Sequence, residues 1–167
     1  VPVYSVTASE HSVSCTKIFT VGEKQMLLDW MKDNPTGILS WVIDTFSTWD
    51  AIKLAEEEKE AVIARDGKLV FRPDSGDPVK ILCGDSEAEL GSIQHKGTVQ
   101  HLWEVFGGTV NSKGYKQLDP HIGVIYGDSI TLERADQITK GLAAKGFAST
   151  NVVFGIGSFT YQRVTRD

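Results

Sequence analysis

A chain of 167 residues, 41% of them apolar, fits one domain with a real hydrophobic core rather than a disordered tail. The net charge is −5, the isoelectric point is near 5.4, and the 17 Lys and Arg are scattered, which excludes the basic stripe that follows a nucleic-acid backbone. Cys15 and Cys83 lack metal-ligand or disulfide-framework spacing, no apolar run approaches the roughly 20 residues that span a bilayer, and no secretory signal pattern opens the chain, so a soluble protein of the reducing cytoplasm is expected.

Val1-Pro2-Val3-Tyr4-Ser5-Val6 enters at once into apolar alternation, and Tyr161 to Asp167 reads as an element still in progress, so the chain looks cut from something longer. The first predicted strand covers residues 3–7. Thr20-x-x-Glu23 has capping-box spacing ahead of Met26, Leu27, Leu28, Trp30 and Met31, and Asn34-Pro35-Thr36-Gly37 stops that helix. A second strand is expected at 38–44, then a helix capped by Ser47-x-x-Asp50 with Gly67 as its C-cap, then a third strand at 68–72.

Residues 84–97 are acidic, small and without periodicity, the pattern of a surface excursion. A helix resumes near residues 98–106, and residues 109–118 predict an antiparallel hairpin with its turn at 112–114. The fourth strand is placed at 122–127. Thr131 caps a helix over 132–145, where Leu132, Ala135, Ile138 and Leu142 recur at helical spacing before Gly146. A fifth strand follows at 151–155. Short β-branched runs alternating with helices predict an α/β fold with a mainly parallel sheet.

Reactive residue types follow each strand: His11 after the first, Asp44 at the second, Arg72-Pro73-Asp74-Ser75-Gly76 at the third, Gly127-Asp128-Ser129 at the fourth and Gly155-Ile156-Gly157-Ser158 at the fifth. Singly, each has an ordinary explanation as a helix N-cap, a tight turn or a structural histidine. Together they mark the C-terminal rim, where α/β barrels build their active sites. Backbone N–H groups at Gly-rich turns can cradle phosphate, carboxylates can accept ribose hydroxyls or hold Mg²⁺ on a diphosphate, and Arg72 and Arg166 supply forked donors. The set suits an anionic sugar ligand.

Tyr4-Ser5-Val6-x-Ala8-x-Glu10-His11-Ser12, Ser40-x-x-x-Asp44, Arg72-Pro73-Asp74-Ser75-Gly76, Asn111-Ser112-Lys113-Gly114-Tyr115-Lys116, Gly127-Asp128 and Phe154-Gly155-x-Gly157 through Thr165-Arg166-Asp167 resemble, in order and spacing, the nicotinamide phosphoribosyltransferases of the type II phosphoribosyltransferase family. The resemblance spans the whole chain. It implies a single partial domain over 1–167, half of an irregular α/β barrel with a small hairpin, whose remaining strands and second domain lie outside this chain.

It further implies transfer of 5-phosphoribose from phosphoribosyl diphosphate to nicotinamide for NAD synthesis, with Mg²⁺ on the diphosphate, ATP as coupling phosphoryl donor, and a homodimer that shares its active sites. His11 would be the catalytic histidine that ATP phosphorylates, with Glu10 beside it. Arg72 would contact phosphate and the pyridine amide, and Asp74 and Asp128 would hold ribose hydroxyls. Asp74 is also placed among the catalytic groups. Gly127, Gly157, Ser158 and Arg166 would line the 5′-phosphate region, and Ser40 and Asp44 the base end.

The chain departs from the family pattern at Thr7, where proline is usual, at Ser158 and Phe159, where glycines are usual, and across 84–97. The residues that sandwich the pyridine ring and select amide over acid fall outside it. A nicotinate or quinolinate phosphoribosyltransferase and a non-catalytic phosphate-binding module are the competing readings, and the chain alone is expected to be inactive.

Overall fold

The computed structural model describes residues 6–155. Five parallel strands form one sheet in the order β1 (Thr7–Ala8), β2 (Thr36–Val42), β3 (Asp66–Arg72), β6 (Ile122–Tyr126) and β7 (Val152–Phe154). Between them run α1 (His11–Val21), α2 (Glu23–Asp33), α3 (Thr48–Glu57), α4 (Lys59–Ala64), α5 (Pro78–Cys83), α6 (Ile93–Lys96), α7 (Thr98–Phe106) and α8 (Leu132–Ala144). A separate antiparallel pair, β4 (Gly108–Val110) and β5 (Lys116–Leu118), makes the predicted hairpin. Parallel strands in chain order joined through helices are the architecture of a partial α/β barrel.

The two faces of the sheet differ sharply. Leu39, Trp41, Leu69, Phe71, Val124 and Tyr126 are at most 2% exposed and pack against Leu27, Ile52, Leu82, Leu102, Ile138 and Leu142 of the helices. Each such side chain withdrawn from water stabilises the fold by roughly 1.5–3 kcal/mol. Alternate residues point the other way, as the two-residue period of a strand requires, and there Ile38 is 44% and Val153 58% exposed. A groove of about 490 Å³ runs along this uncovered face past Ser40, Lys68, Val70 and Ile125.

Local signals were obeyed where tertiary packing did not compete. Ser47 Oγ accepts from the Asp50 N–H at 3.3 Å and Thr131 Oγ1 from the Arg134 N–H at 3.2 Å, as their spacings predict. In the hairpin turn Asn111 Oδ1 accepts from the N–H groups of both Lys113 and Tyr115 at 3.0 Å. Lys116 then lies 5.2 Å from the Phe147 ring centroid and 5.9 Å from that of Trp103. These contacts give the Asn-Ser-Lys-Gly-Tyr-Lys stretch a structural role distant from the rim.

Other expectations need correction. Thr20 caps nothing: it lies inside α1, where its hydroxyl donates to the Thr16 and Lys17 carbonyls, and Gly22 precedes α2 instead. Gly67 is a strand residue paired with Gly37, and only glycine fits there because a Cβ would stand 2.1 Å from the Gly37 carbonyl oxygen. The preceding helical segment is split into α3 and α4, and Arg65 follows it, donating to the Asn34, Thr36 and Gly37 carbonyls at 2.6–2.7 Å. The excursion at 84–97 is mostly turns but contains the short α6. No prediction covered α5, which Asp77 caps through the Val79 and Lys80 N–H groups.

Candidate active site at the strand ends

Among the described residues, the polar side chains gather where β1, β2, β3 and β6 end. His11 opens α1, directly after Glu10, so its imidazole stands at the start of the first helix of the rim. Its Nε2 lies 2.9 Å from Asp44 Oδ1 just past β2, with the carboxylate side chain 5% exposed and the imidazole 45%. A carboxylate only accepts, so this contact assigns the proton to Nε2 and leaves the Nδ1 lone pair available. Asp44, expected at the base end, also holds the histidine through Oδ1.

Arg72 ends β3 and reaches back over the sheet edge. Its Nη2 donates to the Ser9 carbonyl at 2.9 Å and lies 3.4 Å from Glu10 Oε2. Its Nε is buried and makes no hydrogen bond among the described residues, a donor left over after the protein contacts are made. Ser9 joins three strands of the rim: its N–H donates to the Ser40 carbonyl at 2.9 Å, its Oγ accepts from Val42 N–H at 2.8 Å, and its carbonyl receives Arg72. The sequence motif around His11 leaves position 9 unspecified, and nothing in the residue type of Ser9 marks it as a brace.

On the far side of the rim Asp74 approaches the end of β6 at Gly127, the residue that precedes Asp128. A Cβ built on Gly127 would stand 3.9 Å from Asp74 Oδ1 and 3.7 Å from Gly155 Cα, and one on Gly155 would stand 2.7 Å from Gly127 Cα. The two strand ends therefore approach as closely as they do only because Gly155 lacks a side chain, whereas a Cβ on Gly127 would make ordinary van der Waals contacts. Ser129 takes φ 52°, its hydroxyl donates to Asp128 Oδ2 at 3.1 Å, and Arg134 holds its carbonyl at 2.6 Å, which fixes the turn after β6.

Tyr126, beneath this turn, registers the whole acidic cluster. Burial is the main cause raising its phenol above the ordinary tyrosine range, with the charges of Asp128, Asp74 and Asp44 acting in the same direction. Neither Tyr126 nor Arg134 was singled out from sequence, although Tyr126 immediately precedes Gly127-Asp128.

Ser40 is buried on β2 and borders the groove on the open face. Gly157, Ser158 and Arg166, assigned to the phosphate region, lie outside the described residues. Among the described residues, no group of three or more His, Cys, Asp or Glu is arranged to hold a metal ion. No helix there is long and apolar enough to cross a membrane.

Comparison with known proteins places this rim in a family. The chain is 48% identical over 175 residues to a nicotinamide phosphoribosyltransferase of Acinetobacter baylyi, covering 98% of this chain and 34% of that protein. It is 39% identical to one of Mycoplasma pneumoniae, covering 98% of this chain and 36% of that protein, and 33% identical to one of Xanthomonas campestris, covering 98% and 33%. The chain spans about a third of the length of these curated relatives. A family model described as the nicotinate phosphoribosyltransferase (NAPRTase) family matches residues 1–167, and the chain belongs to that family.

Proposed function

We propose that the full-length enzyme containing this chain transfers 5-phosphoribose from phosphoribosyl diphosphate to the ring nitrogen of nicotinamide, releasing diphosphate, as a step of NAD synthesis. The observation that carries the reading is the junction of the His11–Asp44 pair, Arg72 and the Asp74–Gly127 approach on one rim, in a chain whose relatives are named nicotinamide phosphoribosyltransferase.

The chemistry asks mainly for fixed charge. As the bond from C1 to the diphosphate lengthens, positive charge grows on the ribose, and Asp74 and Asp128 stabilise it while accepting the ribose hydroxyls. Arg72, with its forked guanidinium at the end of β3, grips phosphate oxygens. His11, oriented by Asp44, would accept and release a phosphoryl group from ATP through Nδ1. Glu10 sits against Arg72 and limits where that guanidinium can swing. Mg²⁺ would arrive on the diphosphate, whose oxygens are the hard ligands it prefers.

Ser40 and the groove beside it would face the base, and Gly157, Ser158 and Arg166 would complete the 5′-phosphate site. Shared sites in a cytoplasmic homodimer complete the proposal.

The family description favours nicotinate as the second candidate base. Assaying the full-length enzyme with each base separately, with phosphoribosyl diphosphate, Mg²⁺ and ATP present, decides between them. Turnover with nicotinamide at a kcat/KM well above that for nicotinate supports the proposal; preference for nicotinate, or no turnover with either, overturns it.

A further inference from the structure

Tyr126 is the last residue of β6, and its side chain is fully buried on the helix-covered face. A buried phenol needs an acceptor, and this one reaches 50 residues back in the chain: its hydroxyl donates to the Gly76 carbonyl at 3.0 Å. Gly76 belongs to the loop between β3 and α5. One end of that loop is anchored by buried Pro73, and the other by Asp77, whose carboxylate caps α5. Asp74 lies between buried Pro73 and the tethered Gly76.

The same tyrosine is followed directly by Gly127 and Asp128. One hydrogen bond thus joins the loop that carries Asp74 to the strand end that carries Asp128. Burial and the three neighbouring carboxylates keep the phenol protonated, so it remains a donor throughout the neutral range.

We propose that Tyr126 is a positioning residue: its bond to the Gly76 carbonyl sets the spacing between Asp74 and Asp128, and through it the grip on the ribose hydroxyls of phosphoribosyl diphosphate. This rests on the function proposed above. Tyr126→Phe keeps the ring and its packing and removes only the tie, and the freed carbonyl lies on an exposed glycine where water can reach it.

The test is steady-state kinetics of the full-length enzyme, with calorimetric binding of phosphoribosyl diphosphate and Mg²⁺ and a melting curve. Tyr126→Phe is expected to raise KM and Kd for phosphoribosyl diphosphate roughly five- to tenfold, as loss of one hydrogen bond predicts, while KM for nicotinamide stays unchanged. Leu142→Ala, a buried substitution in α8 away from the rim, gives the effect of lost stability alone and should leave both constants unchanged. A lowered melting temperature with unaltered KM and Kd for phosphoribosyl diphosphate overturns the positioning role and leaves the proposed function intact. A wild-type enzyme that neither turns over nor binds phosphoribosyl diphosphate overturns both.

Discussion

Replacing Asp44 by Asn isolates the charge that orients His11. The amide is nearly isosteric with the carboxylate, so the 5% exposed site stays filled while the charge-assisted bond at 2.9 Å becomes neutral. Hydrogen bonds to charged groups contribute about 1.5–3 kcal/mol. A neutral bond still contributes about 0.5–1.5 kcal/mol, so at about 1.4 kcal/mol per decade the ATP-coupled rate falls roughly fivefold while the amide oxygen still accepts and up to roughly 150-fold where the bond is lost altogether. Asn can also turn its NH₂ toward Nε2, forcing the proton onto Nδ1 and removing the nucleophilic lone pair, which pushes the loss to the upper end. The assay is the initial rate of nicotinamide mononucleotide formation by the full-length enzyme at saturating substrates, with phosphohistidine measured in parallel. Activity and phosphohistidine within about twofold of wild type, in a variant of unchanged melting temperature, would refute the assignment of Asp44 to His11.

Gly155→Ala should force apart the ends of β6 and β7, because the new Cβ would stand 2.7 Å from Gly127 Cα; overpacking of this kind costs about 1–3 kcal/mol in urea denaturation and should weaken phosphoribosyl diphosphate binding in calorimetry. Burial pushes the Cys83 thiol up to about 11, so iodoacetamide at pH 8 should label Cys15 and spare Cys83 until the chain unfolds, as peptide mass spectrometry would report. The sign for stability follows: below the ordinary thiol value of 9.0 both states keep the proton, and between there and about 11 only the unfolded state loses it, so stability falls across that window in chemical denaturation run against pH. The isolated chain of 167 residues, with Ile38 and Val153 bare on the open sheet face, should self-associate in sedimentation velocity and show no turnover.

Much of this was legible from residue order because the determinants are local. Strand and helix alternation reflects hydrophobic period, and the caps at Ser47 and Thr131 need only a hydroxyl three residues before an N–H. Polar residues after each strand also announced the rim, since a strand that ends in Arg72 or Tyr126 must deliver the next residues to one side of a parallel sheet. Tertiary structure decided the rest, where one residue's role depends on another far away in sequence. Gly67 looked like a helix stop until the Gly37 carbonyl stood against it, and Thr20 looked like a cap until α1 absorbed it. Asp44 acquired His11 across 33 residues, and Tyr126 acquired Gly76 across 50. Periodicity and propensity carry no information about such pairings; they arise only when the burial of Trp41, Phe71 and Tyr126 under the helices fixes the register of the strands that bear them.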